Sequence, residues 1–446
     1  MKKQNLPDKK ITFQQLNLGK EITTHKCCGP VLPIAVAGTK ILDDLTNKLL
    51  AAIWSKEDAL GTQGQLIVAE ALELVDGLKS GYGTTSGFNT PDTLAMQLME
   101  YNLFEFSASK TEARLAAMTD LLIDQDKNEI RSESDFIKKA NERVADLNQI
   151  YLTTEYNLSV AVGQNSASYH RFLAEKDTVT SYVQYQTAGD SKVRNEHAKL
   201  DGRIFNLSDR EAMKLFPPNG YGCRCEFVQY NRTPKEGEVM SGKTAQEMLN
   251  AENANWSKSQ FNINRGDLKE VFTKSQFYSD IKGLPKKLND MTFDKYDLKK
   301  WSAFKRDLNK INLDKTITAD NVKELFEKEK GTDFMGFKDY FGRKMFLTEK
   351  VFDSHIKGKY AKPEENRPQL FPLIKDVLNK PDEVWYNSPD KIEGKFQSRY
   401  IKFYNDLILV VDCEMKKDGL QINTWYQAKK EDLNLRKGLL IRNKVD

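Results

Sequence analysis

The stretch Ser398-Arg-Tyr-Ile-Lys-Phe-Tyr-Asn-Asp-Leu-Ile-Leu-Val-Val-Asp-Cys-Glu-Met415-Lys-Lys-Asp-Gly-Leu420-Gln-Ile-Asn-Thr-Trp-Tyr-Gln427 decides how the end of the chain folds. β-Branched and aromatic residues crowd three runs, 398–404, 407–415 and 420–427. The breaks between them, Asn405-Asp406 and Lys417-Asp418-Gly419, carry the residues that tight hairpin turns require. A fourth run, 382–387, follows Pro381, which closes a helical segment at 366–379. A shorter helical segment before that carries His355. The order is therefore two helices followed by a four-stranded antiparallel meander, over residues 346–446.

Working outward, residues 282–345 are rich in Lys, Asp and Asn and read as a basic connector of short amphipathic helices. Residues 1–130 form a mostly helical region once the irregular first forty are passed. Leu42, Leu45, Leu49 and Ile53 recur at helical steps, and Thr90-Pro91-Asp92 opens another helix with Pro at its first position. Ser132 with Asp135 three positions on starts the most regular helix, whose stripe is Ile137, Ala140, Val144, Leu147 and Tyr151. A strand-like alternation at 179–185 then gives way to a loop-rich stretch through Pro217-Pro218-Asn219-Gly220, within a domain set at 131–281. The fold class is multidomain α+β.

The 446 residues carry 68 Lys and Arg against 64 Asp and Glu, a net charge of only +4, which excludes a bulk polycation. No apolar run approaches the ~18–20 residues of a membrane span. Lys2 and Lys3 precede polar residues rather than an apolar secretory core. Five cysteines, two adjacent at Cys27-Cys28, make no disulfide framework, so a soluble chain in a reducing cytoplasm is expected. His25-Lys-Cys-Cys28 lacks a second cluster at metal-binding spacing. Gly331 and Gly336 are followed by Phe337-Lys338-Asp339 rather than Lys-Ser/Thr, which rules out a P-loop.

The middle of the chain concentrates ligand-type residues. Tyr185-Gln-Thr-Ala-Gly-Asp190 and Asn195-Glu-His197-Ala-Lys-Leu-Asp201-Gly202 precede Phe216-Pro-Pro-Asn-Gly-Tyr-Gly-Cys223-Arg-Cys225. His197, Cys223 and Cys225, completed by Asp190 or Asp201, are a candidate zinc set. The alternative is a metal-free knot in which the thiols pack as small apolar groups. These motifs resemble the signature of the phage Mu F-like head morphogenesis proteins, also called minor head proteins. Lys214-Leu215-Phe216 stands where that family often has Trp. The resemblance implies a protein of the virion head interior that associates with portal and capsid or scaffold proteins, with no membrane.

His355, "LFPLIKDVLNKPDEVWYN", "SRYIKFYN", "LILVVDCE", "LQINTWY" and "RKGLLIR" resemble the Barnase-EndoU-Colicin-RelE-like nucleases found behind Mu F-like segments. That likeness implies an endoribonuclease acting in the host cytoplasm, with an immunity protein as a further expected partner. Metal-free RNA cleavage needs proton transfer to and from ribose and leaving oxygens, together with donors on the phosphorane. His355, the only imidazole after His197, is the expected proton-transfer group. Arg399 is expected to clamp phosphate and Thr424 to orient it. Lys402 and Tyr426 are expected substrate contacts, Tyr426 as a stacking ring on Thr424's face. No cofactor is expected for this chemistry, which would leave 2′,3′-cyclic phosphate ends. The competing expectation is a purely structural head protein whose last domain binds protein or DNA.

Overall fold

The computed structural model describes residues 39–331, 333–387, 397–431 and 433–444, so the His25–Cys28 segment lies outside the described residues. The described residues divide into two compact units, 172–264 and 39–171 together with 265–444.

The larger unit begins with helices α1 (Thr39–Ser55), α2 (Leu60–Tyr82), α3 (Pro91–Asp120), α4 (Glu133–Asp146) and α5 (Leu152–Glu175). Two of the starts follow local chemistry. Thr90 is extended ahead of Pro91, and the Ser132 hydroxyl accepts the Asp135 amide at 3.3 Å. The α1 stripe is buried at Leu42, Leu45 and Leu49. On α4 the buried face is Phe136, Ala140, Val144 and Leu147, one position round from the expected stripe, because Ile137 is only half-buried. A π turn at Leu147–Tyr151 joins α4 to α5 and carries Asn148 inward, where it accepts from Arg114 and donates to Asp43. Gly81 of α2 and Gly163 of α5 let the two backbones touch, since a Cβ on either would strike the other helix's carbonyls. Among these helices Lys110 is fully buried between Glu70 and Glu155, both at 2.6 Å, and Tyr278 donates to Glu155.

The smaller unit holds β1 (Tyr182–Gln186), β2 (Ile204–Asn206) and β3 (Glu226–Gln229) in the antiparallel order β2-β1-β3. The short helix α6 (Asn195–Ala198) lies in the β1–β2 connection. Tyr185, Phe205, Phe216 and Phe227 form its aromatic core.

The larger unit ends in a seven-stranded sheet: β4 (Phe334–Lys338), β5 (Lys344–Thr348), β6 (Glu383–Asn387), β7 (Gln397–Phe403), β8 (Ile408–Lys416), β9 (Gly419–Ala428) and β10 (Leu439–Asn443). The strand order is β10-β6-β7-β8-β9-β5-β4, antiparallel except for β9 against β5. Strand β8 is central, and its Ile-Leu-Val-Val run is buried on both faces as a central strand requires. The four expected strands are present, and three more join them. Two of these, β4 and the start of β5, fall inside the expected helical connector. That segment does hold short helices at Leu284–Asp290 and Val322–Glu329. The hairpin between β4 and β5 is fixed by Asp339, whose carboxylate accepts the amides of Phe341 and Arg343, with Gly342 left-handed at φ 75°. A boundary at 346 therefore cuts through β5.

Helices α7 (Glu349–Ile356), α8 (Arg367–Leu370) and α9 (Ile374–Asn379) precede β6. Phe352 of α7 and Phe371 cover Trp425 on one face of the sheet, and Tyr101 and Phe104 of α3 pack on Tyr386. Gln97 of α3 also accepts the Leu420 amide at 3.0 Å. The front helices and the last sheet are thus one core. No described helix is long and apolar enough to cross a membrane.

Candidate active site and a thiol–imidazole cluster

Alternation along the strands sorts the expected catalytic residues by face. Arg399, Asp412 and Thr424 are register partners across β7, β8 and β9, so they share one face. Tyr426, opposite Val410, is on that face too. Lys402 pairs with Leu409 on the other face, where its ammonium meets Asp376 at 2.6 Å and the Lys380 carbonyl. Trp425 also points to that other face and is fully buried.

His355 lies on the Trp425 side, its ring 5.3 Å from the indole. Its Nδ1 is within 2.8 Å of the Val351 carbonyl, one turn back on α7, and 3.1 Å from Ser354 Oγ. Donation from Nδ1 to that carbonyl leaves Nε2 as the nitrogen for proton transfer. Burial holds the His355 pKa below the ordinary imidazole value, and the nearby Arg367 cation pushes it the same way against the Val351 contact and Glu365. The group is therefore a neutral base at neutral pH.

Arg367, which the sequence did not single out, links the two faces. Its Nη1 donates to Thr424 Oγ1 at 3.1 Å, while its backbone carbonyl accepts the Trp425 indole N–H at 3.0 Å. The same side chain sets Nε and Nη2 against Glu365. Tyr360, half exposed, stands 5.4 Å from the His355 ring, and Lys359 lies over Tyr360. Sequence order offered one clue. Asn366-Arg367-Pro368 is a turn into a helix, with Asn366 left-handed at φ 50° and Pro at the first turn.

Arg399 is differently placed. Its Nε and Nη2 grip Asp412 at 2.7 and 2.9 Å, and Nη1 donates to the carbonyls of Asn434 and Leu435. It stands two strands from Thr424, about 10 Å at the backbone given an inter-strand spacing of ~4.8 Å. The structure therefore leaves His355 and Thr424 on opposite faces of the sheet, with Arg367 bonded to Thr424 and acting on His355 through its charge, and commits Arg399 to a cross-strand ion pair.

In the smaller unit His197 is buried on α6, with Nδ1 3.5 Å from Cys225 Sγ and 3.8 Å from Cys223 Sγ. The three donor atoms all lie within 4.8 Å of one another. Cys225 donates toward Cys223, which draws the Cys223 pKa down and pushes the Cys225 thiol up. Asp190, expected as a fourth ligand, is held outside by Arg224 in two bonds of 2.8 Å, which push its pKa down to about 2. Asp201 instead accepts the Thr187 amide and hydroxyl at 2.8 and 2.9 Å, ahead of left-handed Gly202. The His-x3-Asp-Gly motif is thus half ligand-type and half turn.

Comparison with known proteins fits both regions. Residues 131–228 match the family described as Phage Mu protein F like protein, and residues 321–442 match the phage-Barnase-EndoU-ColicinE5/D-RelE like nuclease2 family. The F protein of Escherichia phage Mu, named for capsid assembly, is 32% identical over 74 residues, 17% of either chain. The Mu-like prophage FluMu F protein of Haemophilus influenzae is 28% identical over 109 residues, 21% of this chain and 26% of that protein. These alignments span about a quarter or less of the relatives' own length. No solved structure gives a significant match. The chain thus joins a Mu F-like segment to a nuclease-like domain.

Proposed function

We propose that this is a phage head protein that associates with portal and capsid through its Mu F-like part and carries a metal-independent endoribonuclease at its end. The single observation that carries the enzymatic reading is Arg367, bonded to Thr424 and near enough to the buried His355 imidazole for its charge to lower that group's pKa. In this reading His355 Nε2 takes the ribose 2′-proton, and the freed oxygen attacks the adjacent phosphorus. Arg367 and the Thr424 hydroxyl hold the non-bridging oxygens as charge builds. The imidazolium then returns the proton to the departing 5′-oxygen, leaving a 2′,3′-cyclic phosphate. Tyr360, beside His355, offers a ring for the adjoining base, a part first expected of Tyr426.

The test is to express the full chain in bacteria beside its His355→Ala variant and follow growth and RNA ends. Toxicity with 2′,3′-cyclic ends in the wild type alone supports the proposal; intact RNA in both, or cleavage in both, overturns it. Co-purification with the cognate portal and capsid proteins tests the head association. One observation favours a structural reading instead: Arg399, the expected phosphate clamp, is neutralised by Asp412. In that case the last sheet would bind a partner without cutting RNA, and delivery of an enzyme into an infected cell, with its immunity protein, would have no part.

A further inference from the structure

The cluster of His197, Cys223 and Cys225 has a shape that packing alone does not require. Cys223 and Cys225 both turn inward because the chain is extended through Cys-x-Cys, and Arg224 between them turns out to Asp190. Left-handed Gly222 (φ 67°) sets the turn just before, and Arg194 pins the same loop by donating to the Tyr221 carbonyl at 2.7 Å. Two sulfurs therefore face one imidazole nitrogen, although a single Nδ1 proton can serve only one of them. A tetrahedral zinc ion with bonds of ~2.0 Å to nitrogen and ~2.3 Å to sulfur places such donors ~3.5 Å apart. The nitrogen–sulfur distances here are 3.5 and 3.8 Å.

A further observation points to a bound group. A small cavity of about 10 Å³ adjoins the three donors, beside Lys192, Arg194 and Gly222, enough for about one water molecule.

We propose that His197 Nδ1, Cys223 Sγ and Cys225 Sγ bind one zinc ion, with a water in the adjoining cavity at the fourth position. Asp190 and Asp201 take no part in it. Binding deprotonates both thiols, so the dipositive ion and two thiolates are neutral together, and two protons leave to solvent. The ion ties α6 to the loop entering β3, which Arg194 also holds through the Tyr221 carbonyl. A donor set of two sulfurs and one nitrogen is of the soft, tetrahedral kind that selects zinc over magnesium or calcium.

The experiment uses the full chain, purified under reductant, equilibrated with zinc, dialysed and analysed for metal. One zinc per chain is expected in the wild type and in Asp190→Asn, and none in the Cys223→Ser/Cys225→Ser double variant. A folded wild-type chain with no zinc overturns the proposal, as does full zinc in the double variant. Should the double variant fail to fold, cobalt-exchanged wild-type protein decides. Thiolate-to-cobalt charge-transfer absorption with tetrahedral ligand-field bands is expected, and their absence overturns the site.

Discussion

Replacing Arg399 by Met separates two uses of a strand arginine, holding the sheet and holding phosphate. In the structure the guanidinium makes two charge-assisted bonds to Asp412, whose side chain is 6% exposed, and caps two carbonyls before β10. Methionine keeps much of the aliphatic stem but leaves the Asp412 carboxylate buried without its cation. Breaking such a pair from one side costs ~3–5 kcal/mol, and the 13% exposure of Arg399 argues for the lower end, about 3 kcal/mol. For a unit of about 300 residues, at ~2.1 cal/mol/K of unfolding entropy per residue, that is a fall of ~5 °C in melting temperature. The double variant Arg399→Met/Asp412→Asn, which removes the orphaned charge, should recover part of the loss. Thermal melts of the full chain followed by tryptophan emission give the stability, and cleavage of a defined RNA well below the melt gives the rate. The expected result is a lower melting temperature with the rate per folded molecule preserved. A wild-type melt combined with a rate loss of ~10²-fold or more would refute the reasoning and return Arg399 to the phosphate.

His355→Ala should lower cleavage by ~10²- to 10⁴-fold while circular dichroism is unchanged, as expected for loss of a proton-transfer group. Arg367→Lys should cut the rate clearly with a small stability change, because a cation remains for Glu365 but the separate Nη1 bond to Thr424 is lost; rate profiles beside melts check this. Arg367→Gln removes a positive charge that holds the His355 pKa down, so the acid limb of the pH–rate profile should move to higher pH; an unmoved limb contradicts the coupling. Because His355 is depressed in the fold, it contributes stability that is full above the ordinary imidazole value and is lost as pH falls below it. Gly81→Val should destabilise the α2–α5 contact more than a typical helix-surface change, as its side chain would meet the Val160 carbonyl; denaturant melts test this.

The strands legible in the sequence were those with local signals. Strand β8 announces itself by Ile408-Leu-Val-Val411, and β9 by its turn from β8 at Lys417-Asp418. Strand β4 was hidden because Gly336 interrupts Phe334-Met-Gly-Phe-Lys338, and the reason for that glycine is the Phe88 ring against it, far away in sequence. Strand β10 was hidden because it pairs with β6, some fifty positions earlier, with no hairpin turn between them. The site divides in the same way. His355 stood out as a rare residue type, and Thr424's face followed from alternation. Arg367 did not, because its meaning depends on a hydroxyl 57 positions on. Arg399 was legible as a strand arginine, but its commitment to Asp412 is a matter of register that composition does not carry. Cys223 and Cys225 could be paired with His197 from spacing, whereas only the folded structure shows Asp190 taken by Arg224 and Asp201 by Thr187.

The packing of α3 on the last sheet also sets a clock on synthesis. Phe104 rests on Tyr386, 282 positions later, and Gln97 on the amide of Leu420. At ~5–20 residues per second, ~15–60 s of translation separate the first partner from the second. Through that interval the early helices wait on the ribosome with their apolar faces uncovered. Chains released early, by nonsense mutation or a stalled ribosome, lack the strands that complete the core. Partial chains therefore cannot bring Arg367 to Thr424.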